Sequence, residues 1–147
     1  MILRVAHPPL AQGAVTIRAL HKRRVIARSL ADVCRFDPER ARNRFLETYD
    51  SRDTRVVWSG EDLIGFYVVR DRSDHLYLDH IYIRPDHQGG GLGRRIVRSV
   101  QDRAREAGLP LRLMALRDSP ANAFYISLGF GLESSDALDN YYPWNAD

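Results

Sequence analysis

Between residues 76 and 107 the chain runs from an apolar stretch, LYLDHIYI, through RPDHQGGGLGRR into a helix-periodic stretch. Gly89, Gly90, Gly91 and Gly93 stand directly in front of that helix. Glycine weakens a helix by roughly 1 kcal/mol relative to alanine, and a turn needs only one or two permissive residues. Four glycines at one helix start therefore imply that something approaches bare backbone. Leu92, Ile96, Val97, Val100 and Ala104 share one face at helical spacing. That face buries against a sheet and leaves Arg94, Arg95, Arg98, Asp102 and Arg105 to solvent or to a ligand. A helix start has N–H groups without partners and a partial positive charge. Glycine lets a phosphate sit directly on those groups, and a diphosphate is the natural occupant.

Two common phosphate loops are excluded. No Lys-Ser or Lys-Thr pair follows the glycines, so the P-loop pattern fails. The dinucleotide pattern G-x-G-x-x-G fails in both registers, because Arg94 or Ile96 stands where the third glycine belongs. The net charge of +3 is carried by arginine spread along the chain, with Lys22 the sole lysine. That distribution suits a small anionic ligand better than nucleic acid, and no nucleic-acid partner is expected. Cys34 is the only cysteine, which fits a reducing, cytoplasmic setting and gives no cysteine zinc site. No run of about 18 apolar residues predicts a membrane span, and MILRVAHPPL does not read as a secretory signal.

The length fits a single domain over 1–147. ILRVA (2–6) reads as a strand, and a basic amphipathic helix is expected between about Ala11 and Leu30. DPERARNRFLETY (37–49) reads as a second helix, with Asp37 as cap and Pro38 at its first position. TRVVWS, a Gly60–Glu61 turn and DLIGFYVVR predict a hairpin, and LYLDHIYI a third strand. The helix after the glycines ends at Gly108, before Pro110. LRLMALR, a short helix opened by Ser119 and Pro120, GFGLE and ALDNYYPW complete the chain. The predicted order is β-α-α-β-β-β-α-β-α-β-β, an α/β fold with a mixed sheet and helices packed on it.

The stretch IRPDHQGGGLGRRIV resembles the acetyl-CoA-binding motif of the GNAT superfamily of N-acetyltransferases, Q/R-x-x-G-x-G/A after a strand ending in V/I-x-P. Ile83, Pro85, Gln88, Gly91 and Gly93 occupy the matching positions. SPANAFYISLGF (119–130) resembles the second signature of that family. The resemblance is strong from Asp62 to Phe130, and the first 50 residues share only the general element order. It implies a GNAT-like mixed α+β sheet and acetyl-CoA as co-substrate. It places the pyrophosphate on the backbone of Gln88, Gly89, Gly90, Gly91, Leu92, Gly93 and Arg94. The pantetheine arm would add like a strand beside Ile81, Tyr82 and Ile83. By the same resemblance Asn122 contacts the CoA arm, and Tyr125 protonates the departing thiolate.

Acetyl transfer to an amine also wants a base, because only the neutral amine attacks. Asp79 and His80 interrupt an apolar strand and point to opposite faces, so at most one faces the amine. Tyr77, Tyr82 and Glu47 are further acceptor-side candidates. No His–carboxylate cluster has metal spacing, so no metal is expected. The reading is an acetyl-CoA-dependent transferase acting on a primary amine in a ternary complex, with a small-molecule acceptor favoured. A protein or peptide amine, or a non-catalytic acyl-CoA-binding module, is the alternative. The aromatic end YYPW (141–144) is compatible with a homodimer.

Overall fold

The computed structural model describes residues 2–4, 15–19 and 39–146. In chain order the elements are β1 (Ile2–Arg4), β2 (Val15–Ala19), α1 (Glu39–Thr48), β3 (Thr54–Ser59), β4 (Asp62–Asp71), β5 (Leu76–Ile83), a 3-10 turn (Pro85–His87), α2 (Leu92–Ala107), β6 (Leu111–Leu116), α3 (Ala121–Ser127), β7 (Ser134–Ser135) and β8 (Asp139–Trp144). These gather into two compact units. The first is Met1–Val68 with His80–Gly90, and the second is Val69–Asp79 with Gly91–Asp147. Strands β4 and β5 contribute residues to both.

In the first unit the strand order is β1-β2-β3-β4-β5, with antiparallel pairing from β1 through β4. Phe45 of α1 packs with Val56, Phe66 and Val68 in its core, and Tyr49, Trp58, Leu63 and Tyr82 surround them. The β3–β4 register slips between Val57↔Gly65 and Trp58↔Leu63, so Ile64 is an extra residue on β4. At that bulge Gly65 lets the backbones close in: a Cβ there would stand 2.4 Å from the Tyr82 carbonyl oxygen. Gly65→Ala must therefore push one strand off the other. It is expected to destabilise the fold by about 1–3 kcal/mol and to lower the melting midpoint by at least about 2 °C, as scanning calorimetry would show.

The second unit holds the order β5-β6-β8-β7. Strands β5 and β6 are parallel, whereas β6–β8 and β7–β8 are antiparallel, so the sheet is mixed as expected. Leu92, Ile96, Val97, Val100 and Ala104 form the buried face of α2, together with Gln101. Gln101 is tolerated there because its amide donates to the Leu128 carbonyl at 2.9 Å. Gly108 ends α2 at φ 68°, and its N–H bonds back to Ala104 and Arg105.

Two expected elements are corrected. Val15–Ala19 is a strand paired with β3 through Ile17↔Val57, where a helix was expected. VTIRA is rich in β-branched residues, which fit a pleated sheet better than a helix. The rest of that expected helix, along with Asp37, Pro38 and Cys34, lies outside the described residues. GFGLE is not a strand; only Ser134–Ser135 is. Gly131 and Glu133 do donate to Pro143 and Tyr141 of β8. Gly129 at φ 94° and the lack of a side chain at Gly131 keep that run irregular.

Candidate functional site

The 3-10 turn after β5 carries the chain into the glycines. Gln88 closes it, its N–H donating to Pro85 and its side-chain amide to the Ile83 carbonyl at 2.8 Å. Gly89 and Gly91 both lie at φ 84°, in the left-handed region, whereas Gly90 does not. Where left-handed residues alternate with right-handed ones, successive N–H groups form a nest that suits an anion. A side chain at 89, 90 or 91 would meet no described atom within 4 Å. Among the described residues, packing makes no demand for glycine at Gly90. In the second unit Gly91 is the N-cap of α2 and offers no side-chain cap, and no acidic residue stands in the first turn. The first backbone bond is Arg95 N–H to Gly91 at 3.2 Å, which leaves the N–H groups of Leu92, Gly93 and Arg94 without an intrahelical acceptor. Arg94 is steered by a 3.0 Å bond to Ser127 Oγ. Gly91→Glu forces a side chain into the left-handed region and sets a carboxylate at the helix start. Coenzyme A affinity is expected to fall at least about tenfold in calorimetry on a protein that still folds.

Within the second unit the parallel β5–β6 ladder consists of Leu76↔Leu111 and Tyr77↔Arg112. It is not continued at Leu78 and Leu113, although both are strand residues. On its other side β6 pairs with β8 along its whole length. The edge of β6 from Leu113 onward thus presents main-chain groups that an extended ligand with amides can pair with. Ile81, Tyr82 and Ile83 lie at the other end of β5, in the first unit, and are all half-buried.

Tyr125 and Asn122 share a face of α3, but their polar atoms behave differently. Tyr125 is 7 % exposed, packed against Phe124 and edge-on to Phe130. Burial pushes its phenol up to about 12, so it stays protonated at any physiological pH. Asn122 is consumed by the protein. Its amide N–H groups reach the carbonyls of Leu116 at 2.7 Å and Ser119 at 2.8 Å. Its oxygen accepts from Asn140 at 3.0 Å and from the Tyr142 hydroxyl at 2.7 Å. The side chain expected to touch the CoA arm is the brace between α3, the end of β6 and β8.

Asp79 and His80 separate as alternation requires. His80 continues the buried Leu76–Leu78 face and is 5 % exposed. Its ring stands edge-on to Phe45 at 5.4 Å and stacks near Tyr82, with Nδ1 3.4 Å from the Tyr82 hydroxyl. Asp79, in the second unit, accepts from Arg70 Nε at 3.1 Å, with both side chains under a tenth exposed. The sequence reading overlooked Arg70. Its signal was an arginine closing the apolar strand run IGFYVVR. Glu47 is exposed on α1. Among the described residues no group of three or more His, Cys, Asp or Glu could hold a metal ion. No helix there is long and apolar enough to cross a membrane.

The family model described as acetyltransferase (GNAT) family matches residues 22–130. No curated protein matches the chain. Among solved structures, the chain is similar to the PaiA N-acetyltransferase of Thermoplasma acidophilum in complex with coenzyme A, at 18% identity and a TM-score of 0.74, over 90% of this chain and 99% of that one. A GNAT family acetyltransferase from Elizabethkingia anophelis with acetyl-CoA bound matches at 14% identity and a TM-score of 0.70, over 90% and 98% of the two chains. The ribosomal-protein-S18-alanine N-acetyltransferase of Escherichia coli matches at 21% identity and a TM-score of 0.67, over 88% and 90%.

Proposed function

The chain belongs to the acetyltransferase (GNAT) family, and on that footing we propose that it moves the acetyl group of acetyl-CoA to a primary amine within a ternary complex. The observation that carries this reading is the bare start of α2 behind two left-handed glycines, a seat for a diphosphate. The interrupted β5–β6 ladder adds a place for an amide-bearing arm, and two of the similar structures hold coenzyme A or acetyl-CoA. In the proposed reaction the amine nitrogen attacks the thioester carbonyl carbon and a tetrahedral centre forms. The carbon–sulfur bond then breaks with the Tyr125 hydroxyl donating a hydrogen bond to the departing thiolate, and the proton that the amine gives up passes to the base. Gln88, Gly89, Gly90, Gly91, Leu92, Gly93 and Arg94 hold the pyrophosphate, and Ile81, Tyr82 and Ile83 line the arm. Asn122 serves as a brace. Because Arg70 engages Asp79, His80 is the preferred base. No covalent acyl-enzyme is needed.

A small amine is the proposed acceptor. A protein or peptide amine is the second reading, favoured by the likeness to the ribosomal-protein enzyme. The test is a panel of small amines, amino acids and short peptides, followed by thiol-reagent detection of released CoA. Turnover with small amines supports the proposal, and turnover confined to peptides replaces it with the second reading. Acetyl-CoA binding without turnover on any amine would make the chain a non-catalytic acyl-CoA module. If His80 is the base, His80→Gln lowers the rate chiefly at low pH, and the loss shrinks as free amine accumulates. A wild-type rate from pH 6 to 9 would remove the assignment.

A further inference from the structure

In the second unit α2 and α3 meet along a seam with two polar ties. Arg94 and Gln101 stand about two turns apart on α2 and so share a face. The Gln101 amide donates to the Leu128 carbonyl at 2.9 Å, and the Arg94 guanidinium donates to Ser127 Oγ at 3.0 Å. The neighbours Ser127 and Leu128 are thus each answered by one side chain of α2. The first tie is buried, where a carbonyl without a partner would be costly, and it serves the fold. The second is exposed to water, which competes for both partners, so it has little weight in folding.

The chemistry of the exposed tie points to another role. The Ser127 hydroxyl donates to the Phe124 carbonyl at 2.6 Å, so toward Arg94 its oxygen can only accept. A neutral acceptor fixes the guanidinium without neutralising it. Among the described residues Arg94 has no carboxylate partner, and α2 has no acidic residue in its first turn. Farther along α2, Asp102 is taken by Arg105 at 2.7 Å. A guanidinium carries five N–H donors in a fixed fork, and Ser127 occupies one of them. Helical side chains lean toward the N-terminus of their helix. For Arg94 that is the side of the bare N–H groups of Leu92, Gly93 and Arg94 itself. We propose that Ser127 is a positioning residue for the co-substrate, holding the Arg94 guanidinium at the start of α2 with its charge open to the pyrophosphate. The assignment rests on the acetyl-CoA reading and adds to it a side chain of α3 that acts through Arg94. An arginine ordered in advance removes part of the ordering cost from binding.

The probe is coenzyme A, titrated by calorimetry against the full chain, so no acceptor is needed. Ser127→Ala is expected to weaken binding about fivefold, the scale of one side chain left to be ordered by the ligand. Its melting midpoint should stay within about 2 °C of the wild type, because the position is exposed. Ser127→Thr keeps a hydroxyl that can still bond the carbonyl three residues back in a helix, and should bind within about twofold of the wild type. Arg94→Gln should itself weaken binding at least about fivefold. Added to Arg94→Gln, Ser127→Ala should cost less than about twofold more, because the hydroxyl acts only through the guanidinium. A serine of purely structural use would give the same loss in both backgrounds. Binding by Ser127→Ala at the wild-type level would overturn the proposal. So would a Ser127→Thr variant as weak as Ser127→Ala, or equal Ser127→Ala losses with and without Arg94→Gln. A wild type that binds no coenzyme A would remove the co-substrate reading and the proposal together. Wild-type binding without the Ser127→Ala loss removes the proposal alone.

Discussion

Tyr125→Phe is expected to reduce turnover about 100-fold, while acetyl-CoA affinity and the melting midpoint stay close to those of the wild type. The substitution keeps the ring that packs on Phe124 and Phe130 and removes the hydroxyl. General acid catalysis contributes about 10²–10⁴-fold, and a donor that only shares its proton with sulfur belongs at the low end. The phenol is held up at about 12, whereas an aliphatic thiol titrates near 8.5. Full transfer to a free thiolate is therefore uphill, and the help lies in donating a hydrogen bond as charge builds on sulfur. The pH profile follows. A donor that titrates near 12 produces no alkaline loss of rate below about pH 10. An alkaline limb at pH 8–9 that disappears in Tyr125→Phe would contradict the role, as would near-wild-type turnover. The same shift has a stability sign. The fold disfavours the ionised phenol, so the contribution is intact below pH 10, the unfolded value, and is lost as pH climbs toward 12.

The parts of the fold that were readable are those in which period and punctuation agree. LYLDHIYI is β5 residue for residue, and α2 ends at Gly108 because that residue supplies the left-handed cap. The glycine run was readable as a turn into α2, and Gly89 and Gly91 take the left-handed conformation there; its use as a phosphate seat is the proposal made above. The misread segments lacked that agreement. At Val15–Ala19 short-range β-branching competes with flanking arginines and leucines that suggest a helix, and pairing with β3 decides the outcome. Asn122 shows a different limit. Helical spacing correctly put it beside Tyr125. Whether its amide faces a ligand or its own chain depends on Asn140 and Tyr142, 18 and 20 residues away in sequence. Arg94 and Ser127, 33 residues apart, are likewise joined only in the folded chain. No local pattern announces such a pairing.

The largest expected loss of stability comes from Arg70. In the second unit its guanidinium on β4 meets Asp79 on β5 at 3.1 Å, and neither side chain reaches much water. Removing one partner takes away a buried countercharge of the other, a change that costs about 3–5 kcal/mol in buried pairs. Arg70→Met should therefore lower the melting midpoint by up to roughly 10 °C, and Asp79→Leu should do the same by removing the carboxylate that Arg70 meets. Replacing both at once removes both charges. Apolar pairs of similar volume often equal or exceed the ion pair they replace, so the double variant should regain most of the loss. Additive destabilisation in the double variant would mean that the pair is not the dominant partner of either charge. The double variant also separates two roles for Asp79. It lies on β5 just past the point where the ladder to β6 ends. If its carboxylate only anchors β4 to β5 through Arg70, the restored fold keeps its turnover. If it is the base that frees the amine, the restored fold loses its rate below pH 8 and recovers it as free amine accumulates. Measuring melting and pH–rate profiles on the same three proteins assigns Asp79 to one role or the other.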